Sequence, residues 1–178
     1  MRYALIRRMD ISNGDGVGIS LFVQGCHFHC KGCFNQETWD FEGGKAWAPE
    51  IEETFLSLAG EEYVSRISFL GGEPLAPENV STVLHLALQL KKRWPEKKIW
   101  VFTGYTFESI LKTADPLAPK RHDIDRVALL GLIDVLADGS FVLEQQDVNH
   151  KTVKWVGSTN QRVIDVPKTL ETGKLTLL

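Results

Sequence analysis

Cysteine is scarce in this sequence, and its placement argues against a disulfide framework. The 178 residues contain three cysteines, an odd number gathered in one short segment, whereas disulfide-rich secreted proteins distribute theirs along the chain. No charged-then-apolar leader opens the sequence, and no apolar run approaches the ~18 residues that a membrane span requires. We therefore expect a cytoplasmic protein that has reduced thiols and no membrane association.

A strong net charge is also absent. The formal net charge is -3 and the isoelectric point is near 6.0, so there is no general basic field to attract nucleic acid or an anionic membrane. A hydrophobic content of 43% over 178 residues suits one ordinary hydrophobic core. We expect a single domain over residues 1–178 and no nucleic-acid partner.

Hydrophobic patterning predicts strands that alternate with helices. The predicted strands are 3–9, 19–23, 66–70, 99–102, 133–137 and 163–166, and the predicted helices are 49–59, 77–90, 107–112 and 123–130. Pro116 and Pro119 mark a predicted loop, and His150 falls in another. This alternation predicts an α/β fold with a largely parallel sheet, either open and doubly wound or a partial barrel. Both architectures place ligand sites in the loops that follow the strands.

The cysteines form the pattern Cys26-x3-Cys30-x2-Cys33, which is typical of a metal or cluster site. Thiolates are soft ligands that suit iron-sulfur clusters. Three of them leave one iron of a 4Fe-4S cluster open to a small molecule, which favours catalysis over simple electron transfer. One alternative is a structural zinc site that adds His27 or His29. A second alternative is thiols without metal, which the polar character of this turn disfavours.

The same segment resembles the signature of the radical S-adenosylmethionine superfamily, since Phe28 precedes the second cysteine and Phe34 follows the third. The resemblance implies a 4Fe-4S cluster on the three cysteines and S-adenosylmethionine chelated to the open iron. Reductive cleavage then gives methionine and a 5'-deoxyadenosyl radical. The stretch 69–74, Phe-Leu-Gly-Gly-Glu-Pro, matches the strand-end motif that holds the methionyl ammonium in this superfamily.

Several further segments resemble one family, the activating proteins of the anaerobic ribonucleoside-triphosphate reductase. They are 10–16 with 20–26, 32–35 with 38–39, 100–105, and 134–141 with 157–165. The resemblance implies docking on the large reductase subunit and hydrogen abstraction from a glycine there, which leaves a glycyl radical. It also implies anaerobic chemistry and a reducing flavodoxin- or ferredoxin-type electron donor. The implied fold is a partial β/α barrel.

The resemblance assigns candidate site residues. Cys26, Cys30 and Cys33 are the expected catalytic and cluster-ligating residues; the expected cofactor-binding residues are Gly32, Cys33, Phe34, Gly71, Gly72, Glu73, Asn13 and Thr103. Asp138, at a strand end, is as consistent with a turn role as with a cofactor contact. The five tryptophans are interpreted as packing residues.

One departure from the family pattern concerns 17–19, Val-Gly-Ile, where many relatives carry an arginine. The role of such an arginine is therefore open in this chain. The glycines at 14, 16 and 18 do not predict a phosphate loop, since no strand clearly precedes them and no helix follows.

Other functions fit the cysteine motif as well. They are an activase of a different glycyl-radical enzyme such as pyruvate formate-lyase, a small-molecule radical enzyme, and a zinc or iron-sulfur adaptor without catalysis. The segments at 100–105 and 157–161 favour the reductase activase.

Overall fold

The computed structural model describes residues 1–112, 118–147 and 154–178, which include a seven-stranded sheet. The strands are β1 (Arg2–Asp10), β2 (Gly18–Val23), β3 (Lys45–Ala46), β4 (Arg66–Gly71), β5 (Lys98–Phe102), β6 (Val135–Asp138) and β7 (Arg162–Asp165). Their order across the sheet is β3-β1-β2-β4-β5-β6-β7. The central strands β2, β4, β5 and β6 run parallel, and the outer strands β1, β3 and β7 pair antiparallel.

Four of the five α-helices among the described residues lie between successive parallel strands in the sequence, and the fifth follows β7. The five are α1 (Pro49–Ala59), α2 (Val80–Arg93), α3 (Phe107–Lys112), α4 (Arg121–Leu130) and α5 (Val166–Thr172). Proline fixes the first turn of α1, where its missing N–H costs nothing. The Asp165 side chain caps α5 by accepting a hydrogen bond from the Lys168 amide at 3.0 Å.

The predicted α/β class is confirmed, although the sheet is mixed rather than purely parallel. The predicted strand at 163–166 is an antiparallel edge strand, and Val166 already belongs to a helix. The helix predicted from Pro77 begins at Val80, and the strand predicted from Ile133 begins at Val135. The predicted loop residue Pro116 and His150 lie outside the described residues.

The two faces of the sheet have different environments. Alternate residues of the parallel strands point to the helices and form the main core, in which Leu21, Ile67, Phe69, Ile99 and Val101 are fully buried. Burying a side chain of this kind contributes about 1.5–3 kcal/mol. The residues between them lie on the opposite face, which we call the inner face: Ser20, Phe22, Arg66, Ser68, Leu70, Trp100 and Phe102. The carboxyl ends of β2, β4 and β5 meet at one edge of this face.

No helix among the described residues has the length and apolar character needed to cross a membrane.

Candidate active site

A cavity of about 710 Å³ opens on the inner face of the sheet. Every predicted site residue except Gly32 lines it: Asn13, Cys26, Cys30, Cys33, Phe34, Gly71, Gly72, Glu73 and Thr103. Gly32 has a φ of +75°, and a side chain there would meet Leu143. Glycine is therefore required at position 32 by the turn between the second and third cysteines, and not by contact with the cavity.

The cysteine loop follows β2 directly and is closed by a returning segment. The Gly25 amide donates to the Thr38 carbonyl at 2.8 Å, and the Cys26 amide donates to the Trp39 carbonyl at 3.0 Å. Within the loop, the Cys33 amide donates to the Cys30 carbonyl at 3.0 Å. These bonds hold three half-buried thiols on the wall of one cavity.

The thiols lie in a partly buried environment that affects their ionisation. Burial raises the pKa of Cys26 and of Cys30, and nearby acidic groups add to the rise. Within the part of the chain that the structure describes, no group of three or more His, Cys, Asp or Glu side chains could hold a single metal ion. A 4Fe-4S cluster would bind each of the three thiolates through a different iron.

The two histidines of the loop are engaged elsewhere and do not line the cavity. His27 contacts the Glu78 carboxylate at 3.1 Å and packs on Phe41. His29 stacks on Trp39, with ring centroids 4.8 Å apart. This arrangement disfavours the alternative of a zinc site completed by either histidine.

Gly71 and Gly72 allow the end of β4 to touch the cysteine loop. Gly71 has a φ of +101°, which favours glycine, and a Cβ there would lie 2.8 Å from the backbone of Phe22. A Cβ on Gly72 would lie 2.4 Å from the Gly25 carbonyl oxygen. The next amide, that of Glu73, donates to that same oxygen at 2.8 Å. The two glycines therefore fix the distance between the cysteine loop and Glu73.

Glu73 is buried, with 2% of its surface exposed, yet it lines the cavity. Its Oε1 accepts hydrogen bonds from the Thr103 hydroxyl at 2.7 Å and the Leu75 amide at 2.8 Å. Its Oε2 accepts from the Gly104 amide at 2.8 Å. Burial raises the pKa of Glu73, and these three hydrogen bonds offset only part of the rise. Thr103 thus contacts Glu73, so the structure brings these two expected cofactor-binding residues together.

Aromatic rings complete the wall beside the cysteines. Phe28 meets Tyr105 edge to face with centroids 5.0 Å apart, and a side chain at Gly104 would overlap the Phe28 ring. Phe34, which is 65% exposed, packs on Phe141 at 5.3 Å. Phe34 therefore stands at the rim of the cavity, where a large apolar side chain reaches solvent.

Sequence reasoning missed much of the wall. The additional lining residues include Arg7, Ser12, Phe22, Asn35, Trp39, Leu70, Phe102, Gly139, Ser140, Phe141, Lys154, Trp155, Val156, Gly157 and Gln161. The interpretation of Trp39 and Trp155 as packing residues is incomplete, since both also line the cavity. Part of this wall comes from the segments 134–141 and 157–165. Their resemblance to the family could have identified them as candidate cavity residues. The alternation of side chains along β2 and β5 could have placed Phe22 and Phe102 on the face opposite the aliphatic core.

Asp138 has a structural role. It is 1% exposed, accepts a hydrogen bond from the Phe107 amide at 2.7 Å and pairs with Arg162. It does not line the cavity. The turn interpretation is therefore the better one for this residue.

Comparison with known proteins decides the family. A family model described as a 4Fe-4S single cluster domain matches residues 12–164. The anaerobic ribonucleoside-triphosphate reductase-activating protein of Vibrio cholerae is 37% identical over 163 residues, which cover 90% of this chain and 96% of that protein. The protein of the same name from Escherichia coli K12 is 34% identical over 165 residues, covering 92% of this chain and 97% of that protein. The bacteriophage T4 protein of that name is 34% identical over 164 residues, covering 92% and 93%. The chain belongs to this activating-protein family.

Membership in the activating-protein family confirms the resemblance that the motifs indicated. The matched region contains the cysteine loop, the Gly71–Glu73 segment and the strand end at Thr103. The prediction of a 4Fe-4S domain in an enzyme is confirmed with it.

Proposed function

We propose that the chain activates the anaerobic ribonucleoside-triphosphate reductase by generating a glycyl radical on its large subunit, with a 4Fe-4S cluster on Cys26, Cys30 and Cys33. The observation that carries the proposal is that three thiols and Glu73 line the same cavity. When bound, the cluster and S-adenosylmethionine supply a one-electron reductive cleavage that yields methionine and a 5'-deoxyadenosyl radical. A flavodoxin- or ferredoxin-type protein would supply the electron.

Glu73 is the group that we expect to receive the methionyl ammonium. An ionised carboxylate offers about four acceptor positions, and three donors from the protein already use it. Burial raises the pKa of this carboxyl, so a cationic partner would offset the cost of keeping its charge. The fixed positions of Thr103 and Gly104 keep the carboxylate in one orientation.

Apolar side chains form one wall of the proposed reaction site. Phe22, Leu70 and Phe102 line the cavity on the inner face of the sheet, and Phe141 lines it from a loop. Such a surface excludes water and offers few polar groups to a reactive carbon radical. The cavity is open to solvent on one side, as access by a polypeptide substrate requires.

The finer fold assignments belong to the same proposal. We infer that residues 1–178 form one domain and that the sheet is a partial β/α barrel of the radical S-adenosylmethionine type. The arrangement of the core helices on one face and the cavity on the other supports this inference.

Anaerobic reconstitution with iron and sulfide tests the chemistry. The reduced protein is mixed with S-adenosylmethionine, and 5'-deoxyadenosine and the electron paramagnetic resonance spectrum are recorded. We expect cleavage in the wild type and its loss in Cys26→Ala, Cys30→Ala and Cys33→Ala, because each removes one thiolate ligand.

The matched controls are His27→Phe and His29→Phe, which keep an aromatic ring in place of each histidine. Both should retain the cluster and cleavage if the three cysteines alone hold it. Stoichiometric zinc that depends on either histidine, without cleavage, would contradict the proposal.

The names of the relatives favour the reductase over pyruvate formate-lyase as the protein that is activated.

A further inference from the structure

A buried polar cluster lies behind the cavity wall that Ser12 and Asn13 form, toward the amino ends of β2 and β4. We call it the floor cluster and define it as Asp10, Asn13, Ser20, Arg66 and Ser68. Gly18 and Arg66 are the paired first residues of β2 and β4. The cysteines, by contrast, follow the carboxyl end of β2. The floor cluster therefore belongs to the amino ends of these strands.

Arg66 is the centre of the floor cluster and is 1% exposed. Its guanidinium donates to three backbone carbonyls of the segment 10–18: Asp10 at 2.6 Å, Asn13 at 2.5 Å and Asp15 at 3.1 Å. It also donates to the Ser68 hydroxyl. One side chain from β4 thus determines the path of a segment about fifty residues earlier in the sequence.

Glycines fit this segment around Arg66. A Cβ on Gly14 would lie 2.5 Å from the Arg66 Cδ, and one on Gly18 would lie 2.8 Å from the Arg66 Cζ and 2.7 Å from its carbonyl oxygen. Position 18 therefore has no space for a side chain while Arg66 is in place. In this chain a guanidinium reaches the segment 10–18 from the neighbouring strand β4.

Asp10 fixes the same segment from the other side. Its carboxylate accepts hydrogen bonds from the Ser12 amide at 2.7 Å, the Asn13 side chain at 2.6 Å and the Ser20 hydroxyl at 2.5 Å. Arg66 therefore binds carbonyl groups of this segment, and Asp10 binds its amide groups. Together they hold Ser12 and Asn13 in the wall of the cavity.

The wall lies toward the amino end of β4, whereas Gly71 and the cysteine loop lie at the carboxyl ends of the strands. The Asn13 carbonyl accepts from the Ser68 hydroxyl at 2.7 Å, and Ser68 lies three residues before Gly71 on β4, which is about 10 Å along a strand. Exposed apolar side chains flank the wall, because Met9 is 66% and Ile11 is 72% exposed. These two side chains give an incoming polypeptide apolar contacts beside the fixed polar groups of Ser12 and Asn13.

We propose that Arg66 is a positioning residue that holds the Ser12–Asn13 wall in place for the polypeptide substrate. The inference rests on the proposed activase function. It assigns the floor end of the cavity to the incoming segment of the large reductase subunit and leaves S-adenosylmethionine at the cysteine end. Asn13, which the family resemblance assigned to the cofactor, is thereby reassigned to the polypeptide.

Arg66→Met tests the proposal, because it keeps an apolar stem and removes every donor. The matched control is Lys97→Met. Lys97 is also a buried cation that donates to carbonyls, those of Ala59 at 2.7 Å and Glu61 at 2.9 Å, but it does not line the cavity. Both variants lose charged hydrogen bonds of the same kind, so both should lower the thermal stability.

Binding measurements separate the two variants. The dissociation constant for the purified large reductase subunit is measured by anaerobic titration calorimetry without reductant, and that for S-adenosylmethionine by the spectral change of the reconstituted cluster. We expect Arg66→Met to weaken large-subunit binding roughly ten-fold, because a wall that Arg66 no longer holds would have to be ordered when the polypeptide binds, with a much smaller change for S-adenosylmethionine. Hydrogen exchange at the Ser12 and Asn13 amides should speed up in this variant alone.

Equal large-subunit binding by the Arg66 and Lys97 variants would overturn the proposal, and so would a larger loss of S-adenosylmethionine affinity than of large-subunit affinity. If Arg66→Met does not fold, Asn13→Ala provides the test and should weaken large-subunit binding in the same direction; unchanged binding would overturn the inference. Failure of the wild type to cleave S-adenosylmethionine would instead refute the proposed function itself.

Discussion

At the scale of single residues, Glu73 links the parts of the site. Its carboxylate receives donors from its own turn at Leu75 and from the end of β5 at Thr103 and Gly104. Its backbone amide contacts the cysteine loop at Gly25. A buried carboxylate costs free energy unless its acceptor positions are used, so these contacts explain how the charge is tolerated beside an apolar wall.

The raised pKa of Glu73 predicts a pH dependence of stability. Because burial raises the pKa in the folded protein, the native state binds a proton more tightly than the unfolded chain does. The contribution of Glu73 to the free energy of unfolding is then largest below its ordinary pKa of 4.5 and falls as the pH rises through the raised value. Glu73→Gln cannot titrate. The stability difference between the variant and the wild type should therefore shift in favour of the variant as the pH rises.

Urea unfolding of the cluster-free protein at a series of pH values measures this shift. Thr103→Ser is the control, since it keeps the hydroxyl donor and should follow the pH profile of the wild type. A difference between Glu73→Gln and the wild type that stays constant with pH would show that the pKa of Glu73 is not raised.

At the scale of elements, the decisive contact is between the cysteine loop and the end of β4. The Gly72 amide donates to the Val23 carbonyl at 2.9 Å, and the Glu73 amide donates to Gly25 at 2.8 Å. The parallel pairing of β2 with β4 therefore continues into the two loops. The proposed cluster ligands and the proposed ammonium acceptor share one rigid edge of the sheet.

Gly72→Ala tests this contact. The new Cβ would lie 2.4 Å from the Gly25 carbonyl oxygen, a backbone atom that cannot move without displacing the cysteine loop. We expect a loss of about 1–3 kcal/mol in the free energy of unfolding, as for other overpacked sites, and lower iron content after reconstitution. Denaturant unfolding and iron analysis measure the two effects.

Gly131→Ala is the matched control. Its backbone is in the right-handed helical region, and the nearest atom to a new Cβ is the Ala128 carbonyl oxygen at 3.4 Å. Its stability should stay within about 0.5 kcal/mol of the wild type. Equal stability and iron content in both variants would contradict the tight contact at Gly72.

The sequence allowed prediction of those elements whose signals are local. The cysteine spacing, the Gly71-Gly72 turn and the alternation of the parallel strands all lie within short windows. The two-residue strand Lys45–Ala46 and the helix Val166–Thr172 were missed because the first is too short for a periodic pattern and the second begins where a strand pattern ends. The floor cluster was missed for another reason: Arg66 and its carbonyl partners are far apart in sequence.

At the scale of the whole molecule, the two faces of the sheet have different roles, one in stability and one in the proposed function. The helix side buries the aliphatic core, and the inner face carries the cavity. From one end of that face to the other, the side chains change from the polar floor cluster through Phe22, Leu70 and Phe102 to the cysteines. This gradient fits a site that binds a charged cofactor at one end and admits a polypeptide past an apolar middle.

Formation of a glycyl radical on the reductase tests the central claim most directly. The reconstituted, reduced protein is mixed anaerobically with S-adenosylmethionine and the purified large subunit of the anaerobic reductase, and the electron paramagnetic resonance spectrum of the large subunit is recorded. We predict a glycyl radical that grows with the 5'-deoxyadenosine formed and is absent with Cys30→Ala. Cleavage of S-adenosylmethionine without any radical on the large subunit would contradict the account.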